Sequence, residues 1–265
     1  MTPDFSILVP AYQEEANIAD TLATVTSVMQ QIGLENYEII VVDDGSTDAT
    51  SAIVTKAAEA DPRLRLVCHP KNRGLGAAIR SGIDAVRSEK AMVVPGDNDV
   101  SADFISVMAR YRNVADFVIA APLNLEIRPY FRIILSLVYR LLYFVAFNVY
   151  VFYINAPSVW PVGKLRQIGI KSNRFSIVSE INTKLLRIGC SFAEVPGYFS
   201  GGKPGGAVSL RNLVEVMRRF LELIWEIHVS KRALFGKRPT RVYFRFDDGG
   251  EPSVADDETA DTASG

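Results

Sequence analysis

Met92-Val-Val-Pro-Gly-Asp-Asn-Asp99 is a short apolar run that stops at Pro95-Gly96 and then carries carboxylates at alternate positions, Asp97 and Asp99. Apolar residues followed by turn-forming ones read as a strand and its tip, and Ser101 then opens a helical pattern. In an open α/β sheet the carboxyl ends of the strands border the ligand crevice. Two hard oxygen donors placed there suit a divalent cation that also holds a diphosphate. An isolated Asp-x-Asp is more often a solvated turn that caps the next helix. The residues upstream decide between the two readings.

Phe5 to Pro10 (Phe-Ser-Ile-Leu-Val-Pro), Tyr37 to Val42 and Leu64 to Cys68 are three earlier strand-like runs. Helical stretches separate them. Ile18, Leu22, Val25, Met29 and Ile32 form one stripe, with Asn17 as its expected cap and Gly33 as its stop. A second helix runs through Ile53, Val54 and Ala57, and a third opens at Gly74-Leu75-Gly76 and carries Ala78, Ile79, Ile83 and Val86. Strands alternating with helices predict an α/β fold, with a mainly parallel central sheet, flanking helices and right-handed crossovers. All carboxyl ends then share one edge, where Tyr12, Asp43, Asp44, Asp97 and Asp99 converge. Ser46, Thr47 and Asp48 are expected to cap, but capping alone is a poor account of acids repeated at successive strand tips. Asn72-Arg73-Gly74-Leu75-Gly76 lacks Gly-x-Gly-x-x-Gly spacing. As a helix start it still makes Arg73 and Gly74 candidates for contact with a diphosphate.

At this point the motifs resemble those of family 2 glycosyltransferases. Pro10-Ala-Tyr-Gln-Glu-Glu15, Val41-Val-Asp-Asp-Gly-Ser-Thr-Asp48, Asn72-Arg-Gly-Leu-Gly-Ala-Ala78 and Asp97-Asn-Asp99 occur in that order, and the resemblance covers roughly Phe5 to Phe199. It implies a GT-A fold, an inverting mechanism and a nucleotide-sugar donor (UDP- or GDP-hexose) held by Mg2+ or Mn2+. Pro10, Tyr12 and Glu14 would line the nucleoside pocket, Asp44 would contact the base and Asp43 would shape that pocket. Asp97 and Asp99 would hold the metal and the donor. Within the family the chain is most similar to dolichol- or polyprenyl-phosphate sugar transferases, through Arg128, Arg132, the apolar stretch Ile133 to Ile154, Ser179-Glu180, Gly189 and Glu194-Val-Pro196. Those enzymes more often carry Asp-Ala-Asp, so Asn98 is a departure. Gly201 to Gly206, with Lys203, only loosely resembles their late basic loop.

A lipid phosphate has a second pKa of about 6, so it reaches the enzyme largely ionised and needs aiming rather than deprotonation. Arg128, Arg132 and Lys203 would neutralise it. A hydroxyl acceptor would instead need a carboxylate base, for which Glu180 is the candidate; a structural ion pair is an equal reading of Glu180. Ile133 to Ile154 is long enough to cross a bilayer, but Arg140 near mid-depth and the many tyrosines favour helices lying on a membrane surface. A homo-oligomer contact through 130–160 is the other option.

Three regions are expected: a catalytic domain over 1–200, a basic amphipathic extension over 201–245 and a disordered acidic tail over 246–265. From Leu210, behind Ser209 as cap, Leu213, Val214, Met217, Phe220, Leu221, Ile224 and Ile227 form the apolar face of one helix, opposite Arg211, Arg218, Arg219 and Glu222. Lys231, Arg232, Lys237, Arg238 and Arg241 follow as a basic patch suited to anionic headgroups. The net formal charge of -1 conceals this, because residues 247–265 hold seven acids and no base, and the preceding part carries +6. No nucleic-acid recognition module accompanies the charge. Cys68 and Cys190, both expected buried, and the two histidines, His69 and His228, offer neither a disulfide framework nor a zinc site. No basic region followed by an apolar run opens the chain, which predicts a cytoplasmic protein peripheral to the inner face of the cell membrane. The contrasting reading is a catalytically silent nucleotide-binding or membrane scaffold protein.

Overall fold

Phe5–Ala11 carries no charge and is buried along its whole length, as a parallel strand covered on both faces must be. It is β1 of a computed structural model that describes residues 2–123, 130–173, 176–197, 210–246 and 252–254, the side chains of 122, 130–133, 210–214, 245, 246 and 252–254 excepted. The chain continues through α1 (Ile18–Gln31), β2 (Tyr37–Asp43), α2 (Thr50–Ala60), β3 (Leu64–Cys68), α3 (Leu75–Ala85), β4 (Lys90–Val93), α4 (Ala102–Arg110) and β5 (Phe117–Pro122). Next come α5 (Tyr130–Phe147), β6 (Ser158–Pro161), α6 (Val162–Ile168), α7 (Ile177–Arg187), β7 (Ser191–Gly197) and α8 (Leu210–Trp225). A π-helical turn (Glu226–Ser230), α9 (Arg232–Phe235), β8 (Thr240–Arg241) and the pair β9 (Phe244–Phe246) and β10 (Pro252–Val254) complete it.

The main sheet has the order β3-β2-β1-β4-β6-β5-β7-β8. β3, β2, β1 and β4 are mutually parallel, and β6 runs antiparallel to both β4 and β5. The chain adds β2 and β3 on one side of β1, then crosses through α3 to place β4 on the other. That reversal leaves a switch point between β1 and β4, the place where open α/β sheets bind ligands.

The α1 stripe is buried as the spacing predicts, at Ile18, Leu22, Val25 and Met29. Asn17 stands at the N-cap position of that helix, but its side chain makes no capping bond; its amide donates to Glu14 instead. Ser101 does cap α4, its hydroxyl accepting from the Phe104 N–H. Cys190 is buried but Cys68 is exposed, because it ends β3, the edge strand of the sheet. The segment 133–154 is not one helix. α5 stops at Phe147, Asn148 turns the backbone at φ +51, and Val149, Val151, Ile154 and Ala156 fold back into the core. Among the described residues, no helix is long and apolar enough to cross a membrane. At the C-terminus, Pro252–Val254 pairs antiparallel with Phe244–Phe246, so part of the tail expected to be disordered takes strand form. Ser209, the expected cap of α8, lies outside the described residues.

Candidate active site

Successive carbonyls of a strand point to opposite neighbours. At the tip of β1, Pro10 C=O accepts from Gly96 N–H at 3.0 Å on the β4 side, and Ala11 C=O accepts from Asp44 N–H at 2.8 Å on the β2 side. The two acid-bearing turns are thereby pinned to adjacent residues of one strand. Gly96 also sits close beneath this tip: a Cβ there would lie 3.1 Å from the Ala11 side chain and 3.2 Å from Ile18.

The turn after β4 carries Asp97 and Asp99, both half-buried. Asn98 between them has φ +56, a left-handed conformation that asparagine tolerates better than most residues. Asp97 accepts one hydrogen bond, from the Asp99 N–H, and neither carboxylate has an ion-pair partner among the described residues. Two unneutralised carboxylates, with room left in the coordination sphere for diphosphate oxygens and water, fit Mg2+ or Mn2+. The described residues include no cluster of three or more histidine, cysteine or acidic groups suited to a metal. A cation held here would therefore take its remaining ligands from the substrate and solvent.

The acids at the end of β2 face inward. Asp43 accepts from the Ser46 N–H and from the hydroxyls of Ser46 and Ser51, which folds the Gly45–Ser46 turn. Gly45 is required there, with φ +78 and the Lys71 carbonyl carbon 2.5 Å from where a Cβ would sit. Asp44 is 3% exposed. Its carboxylate meets His69 Nδ1 at 2.6 Å and accepts from the N–H groups of Arg73 (3.0 Å) and Gly74 (2.7 Å). The far nitrogen of His69 bonds the Ser81 hydroxyl at 2.8 Å. Asp44 thus builds the glycine turn at the start of α3 rather than standing free towards a base, a departure from the role expected for it.

Around this rim, Pro10 is buried, Tyr12 is 45% exposed and Arg73 is exposed. The Glu14 carboxylate accepts from Asn17 at 2.8 Å and its N–H donates to Thr50, so Glu14 ties the loop after β1 to α2. Gly74, at φ +90, and Gly76 meet the loop 171–173: a Cβ on Gly74 would stand 2.7 Å from Asn173 O, and one on Gly76 2.3 Å from Ser172 O.

Glu180 is placed differently from a catalytic base. It is 6% exposed, pairs with Lys184 at 2.7 Å, and accepts from the N–H groups of Lys171 (3.0 Å) and Ser172 (2.7 Å). Burial raises its pKa, but the Lys184 charge and these hydrogen bonds outweigh burial and hold it below the usual carboxylate range. A base needs a free lone pair and a higher affinity for protons, so the ion-pair reading of Glu180 prevails. Its i,i+4 partner Lys184 was legible from spacing. Glu226, which joins the same cluster from 42 residues further on, had no signal in the sequence. Arg128, Lys203 and the Arg132 side chain lie outside the described residues.

Residues 6–130 match the family model "Glycosyl transferase family 2". The chain is 38% identical over 102 residues to dolichyl-phosphate beta-glucosyltransferase ALG5C of Trichomonas vaginalis, covering 37% of this chain and 30% of that one. Identity to the human dolichyl-phosphate beta-glucosyltransferase is 35% (36% and 32% covered), and to the Rhizobium meliloti succinoglycan biosynthesis protein ExoO 39% (47% and 34%). The chain thus spans about a third of the length of these curated relatives. By structure it is similar to glucosyl-3-phosphoglycerate synthase of Mycobacterium tuberculosis, solved with Mn2+, uridine diphosphate and phosphoglyceric acid (TM-score 0.63, 16% identity, 96% of this chain and 86% of that one). It is also similar to residues 1–349 of Staphylococcus aureus TarS in complex with UDP (TM-score 0.57, 19% identity, 87% and 68%). Both likenesses bear on the fold, which is GT-A. Over residues 6–130 the chain is similar to glycosyl transferase family 2.

Proposed function

We propose that this chain transfers a hexose from a UDP- or GDP-linked donor to a polyprenyl phosphate at the cytoplasmic face of the membrane. Asp97 and Asp99 would hold Mg2+ or Mn2+, which when bound neutralises charge on the departing diphosphate. The glycine turn at Arg73–Gly74, whose N–H groups Asp44 holds, would present the Arg73 guanidinium on the other side of the diphosphate. Tyr12 and Pro10 would border the nucleoside.

The observation that carries the acceptor is α5. Ile134, Leu135, Leu137, Val138, Leu141, Leu142, Phe144 and Val145 are all exposed, by 39–74%, on a helix whose only described charge is Arg140. Such a surface needs an apolar cover. α8 packs beside it through Phe220 against Tyr143 and Phe147, and adds exposed Met217, Leu221 and Trp225. Residues 210–241 hold eight bases and three acids. A net +5 next to the apolar face favours an anionic bilayer and opposes self-association through the same surface. An ionised lipid phosphate delivered along this face needs no base, which agrees with the engagement of Glu180. Arg128, Arg132 and Lys203 are the proposed acceptor-phosphate ligands.

The test is a panel of nucleotide-sugars with a short polyprenyl phosphate, with and without Mn2+, scored for lipid-linked product. Flotation with vesicles of anionic or neutral lipid accompanies it. Product requiring Mn2+ or Mg2+, and flotation lost in Val145→Glu/Trp225→Glu, is the expected result. Glycosylation of soluble hydroxyl acceptors alone, or a metal-independent reaction, overturns the proposal.

A further inference from the structure

Behind the glycine turn lies a charge cluster that the transfer reaction itself does not use. Lys184 is fully buried, and its ammonium is shared by Glu180 at 2.7 Å, Glu226 at 3.2 Å and the Gly169 carbonyl at 2.7 Å. Glu226 is 3% exposed and opens the π-helical turn at the end of α8; it also pairs with Lys171 at 2.9 Å and Lys231 at 3.1 Å. The desolvation of two carboxylates and an ammonium offsets most of their attraction, so such a triad is weak as a source of stability. Its value lies in fixing one arrangement of the parts it joins.

Those parts form an unbroken chain of contacts. Glu226 belongs to the C-terminal helical element. Glu180 holds the backbone N–H groups of Lys171 and Ser172. The following carbonyls dock on α3: Asn173 C=O accepts from Gly76 N–H at 2.9 Å, and Arg80 donates to Ser172 C=O and to the Asn173 side chain. The glycines at 74 and 76 admit this loop at distances that a Cβ would forbid. Two residues earlier, Arg73 and Gly74 are bound to Asp44.

We propose that Glu180, Lys184 and Glu226 act as a positioning device that couples the seating of the C-terminal helix to the glycine turn of the donor site. Settling α8 and its π-helical turn, as on a membrane surface, sets the 171–173 loop. The loop in turn sets the start of α3 and the turn that carries Arg73. Glu180 is then a positioning residue, not a catalytic one. The inference rests on the donor reading above for its functional meaning, but the mechanical coupling can be read without any donor.

The experiment is residue-resolved amide hydrogen exchange on the full chain, as wild type, Glu226→Gln and Glu226→Asp. The ion-pair partners of Glu226 are Lys171, Lys184 and Lys231, none of them in α3, yet the Gly76 amide in Glu226→Gln is expected to exchange at least tenfold faster, with the amides of β1 and β2 unchanged. Glu226→Asp should restore part of the protection. In turnover, Glu226→Gln should raise the donor KM severalfold and leave kcat within about twofold. Unchanged exchange at Gly76, or acceleration spread equally over the whole sheet, overturns the coupling. A wild-type chain whose amides at 73–76 gain no protection from UDP with Mn2+ sinks the donor half of the proposal instead, whatever Glu226→Gln does.

Discussion

Gly76→Ala sets two effects of known size against each other. Gly76 is the second residue of α3, with an ordinary helical backbone, so on propensity alone alanine gains up to about 1 kcal/mol. Its Cβ, however, would lie 2.3 Å from Ser172 O and 2.6 Å from Asn173 Cα, backbone atoms that cannot swing aside like a side-chain end. Overpacking of this kind costs about 1–3 kcal/mol. Relief by loop movement would break the Gly76–Asn173 hydrogen bond, about 1 kcal/mol more, and disturb the two bonds from Arg80. The clash wins, for a net loss of about 1–3 kcal/mol. Gly163 in α6 is the matched control, since nothing lies within 4 Å of its added Cβ. Gly163→Ala should be neutral or stabilising by up to about 1 kcal/mol. Urea titration of both variants, with UDP affinity measured alongside, reads the difference. If Gly76→Ala is as stable as Gly163→Ala and binds UDP like the wild type, the docking of 171–173 on α3 has been misjudged.

Asp97→Ala and Asp99→Ala should each lower product formation at least about 100-fold while shifting stability by no more than about 0.5 kcal/mol, as for half-exposed turn residues; steady-state rates and melting curves measure both. Asp44→Ala removes the carboxylate to which the Arg73 and Gly74 N–H groups donate, leaving both without their acceptor, and should lose about 2–4 kcal/mol in urea unfolding. For Glu226, burial raises the pKa, but hydrogen bonds and charge from Lys171, Lys184 and Lys231 prevail, so it, like Glu180, titrates below the usual carboxylate range. Depressed folded-state values mean that the stabilisation is complete above the unfolded value of about 4.3 and is lost as pH falls towards the folded one. Wild-type stability should therefore drop between about pH 5 and pH 3, and Glu180→Gln, less stable at neutral pH, should show a flatter profile there; equal slopes would contradict the pairing.

The N-terminal half of the fold was legible because β1, β2 and β4 are short apolar runs ending in turn residues, and a parallel sheet buries such runs on both faces. Cys68 escaped the same logic: the run Leu64–Cys68 looks like the others, but its place at the sheet edge is set by topology rather than composition. The break at Asn148 was hidden because the residues on both sides of it are equally apolar. At the site, the positions of Asp97 and Asp99 followed from the strand pattern. The orientation of Asp44 did not, since a single peptide unit decides whether a side chain at a strand tip faces the crevice or the interior. The sequence leaves Glu180 between base and ion pair with no partner named; the i,i+4 spacing to Lys184 was a signal passed over, while Glu226 and the 171–173 loop meet it only through tertiary folding.

The pinning of both acidic turns to Pro10 and Ala11 has an evolutionary corollary. β2 and β4 flank β1 on opposite sides, each at an inter-strand spacing of about 4.8 Å whatever covers the sheet. The gap between the two acidic turns is therefore inherited from sheet geometry, not from how well the flanking helices fit. Lineages could remodel the outer helices, lengthen the excursion after Asp99 or exchange whole C-terminal segments, and the spacing of the two acidic turns would stay the same.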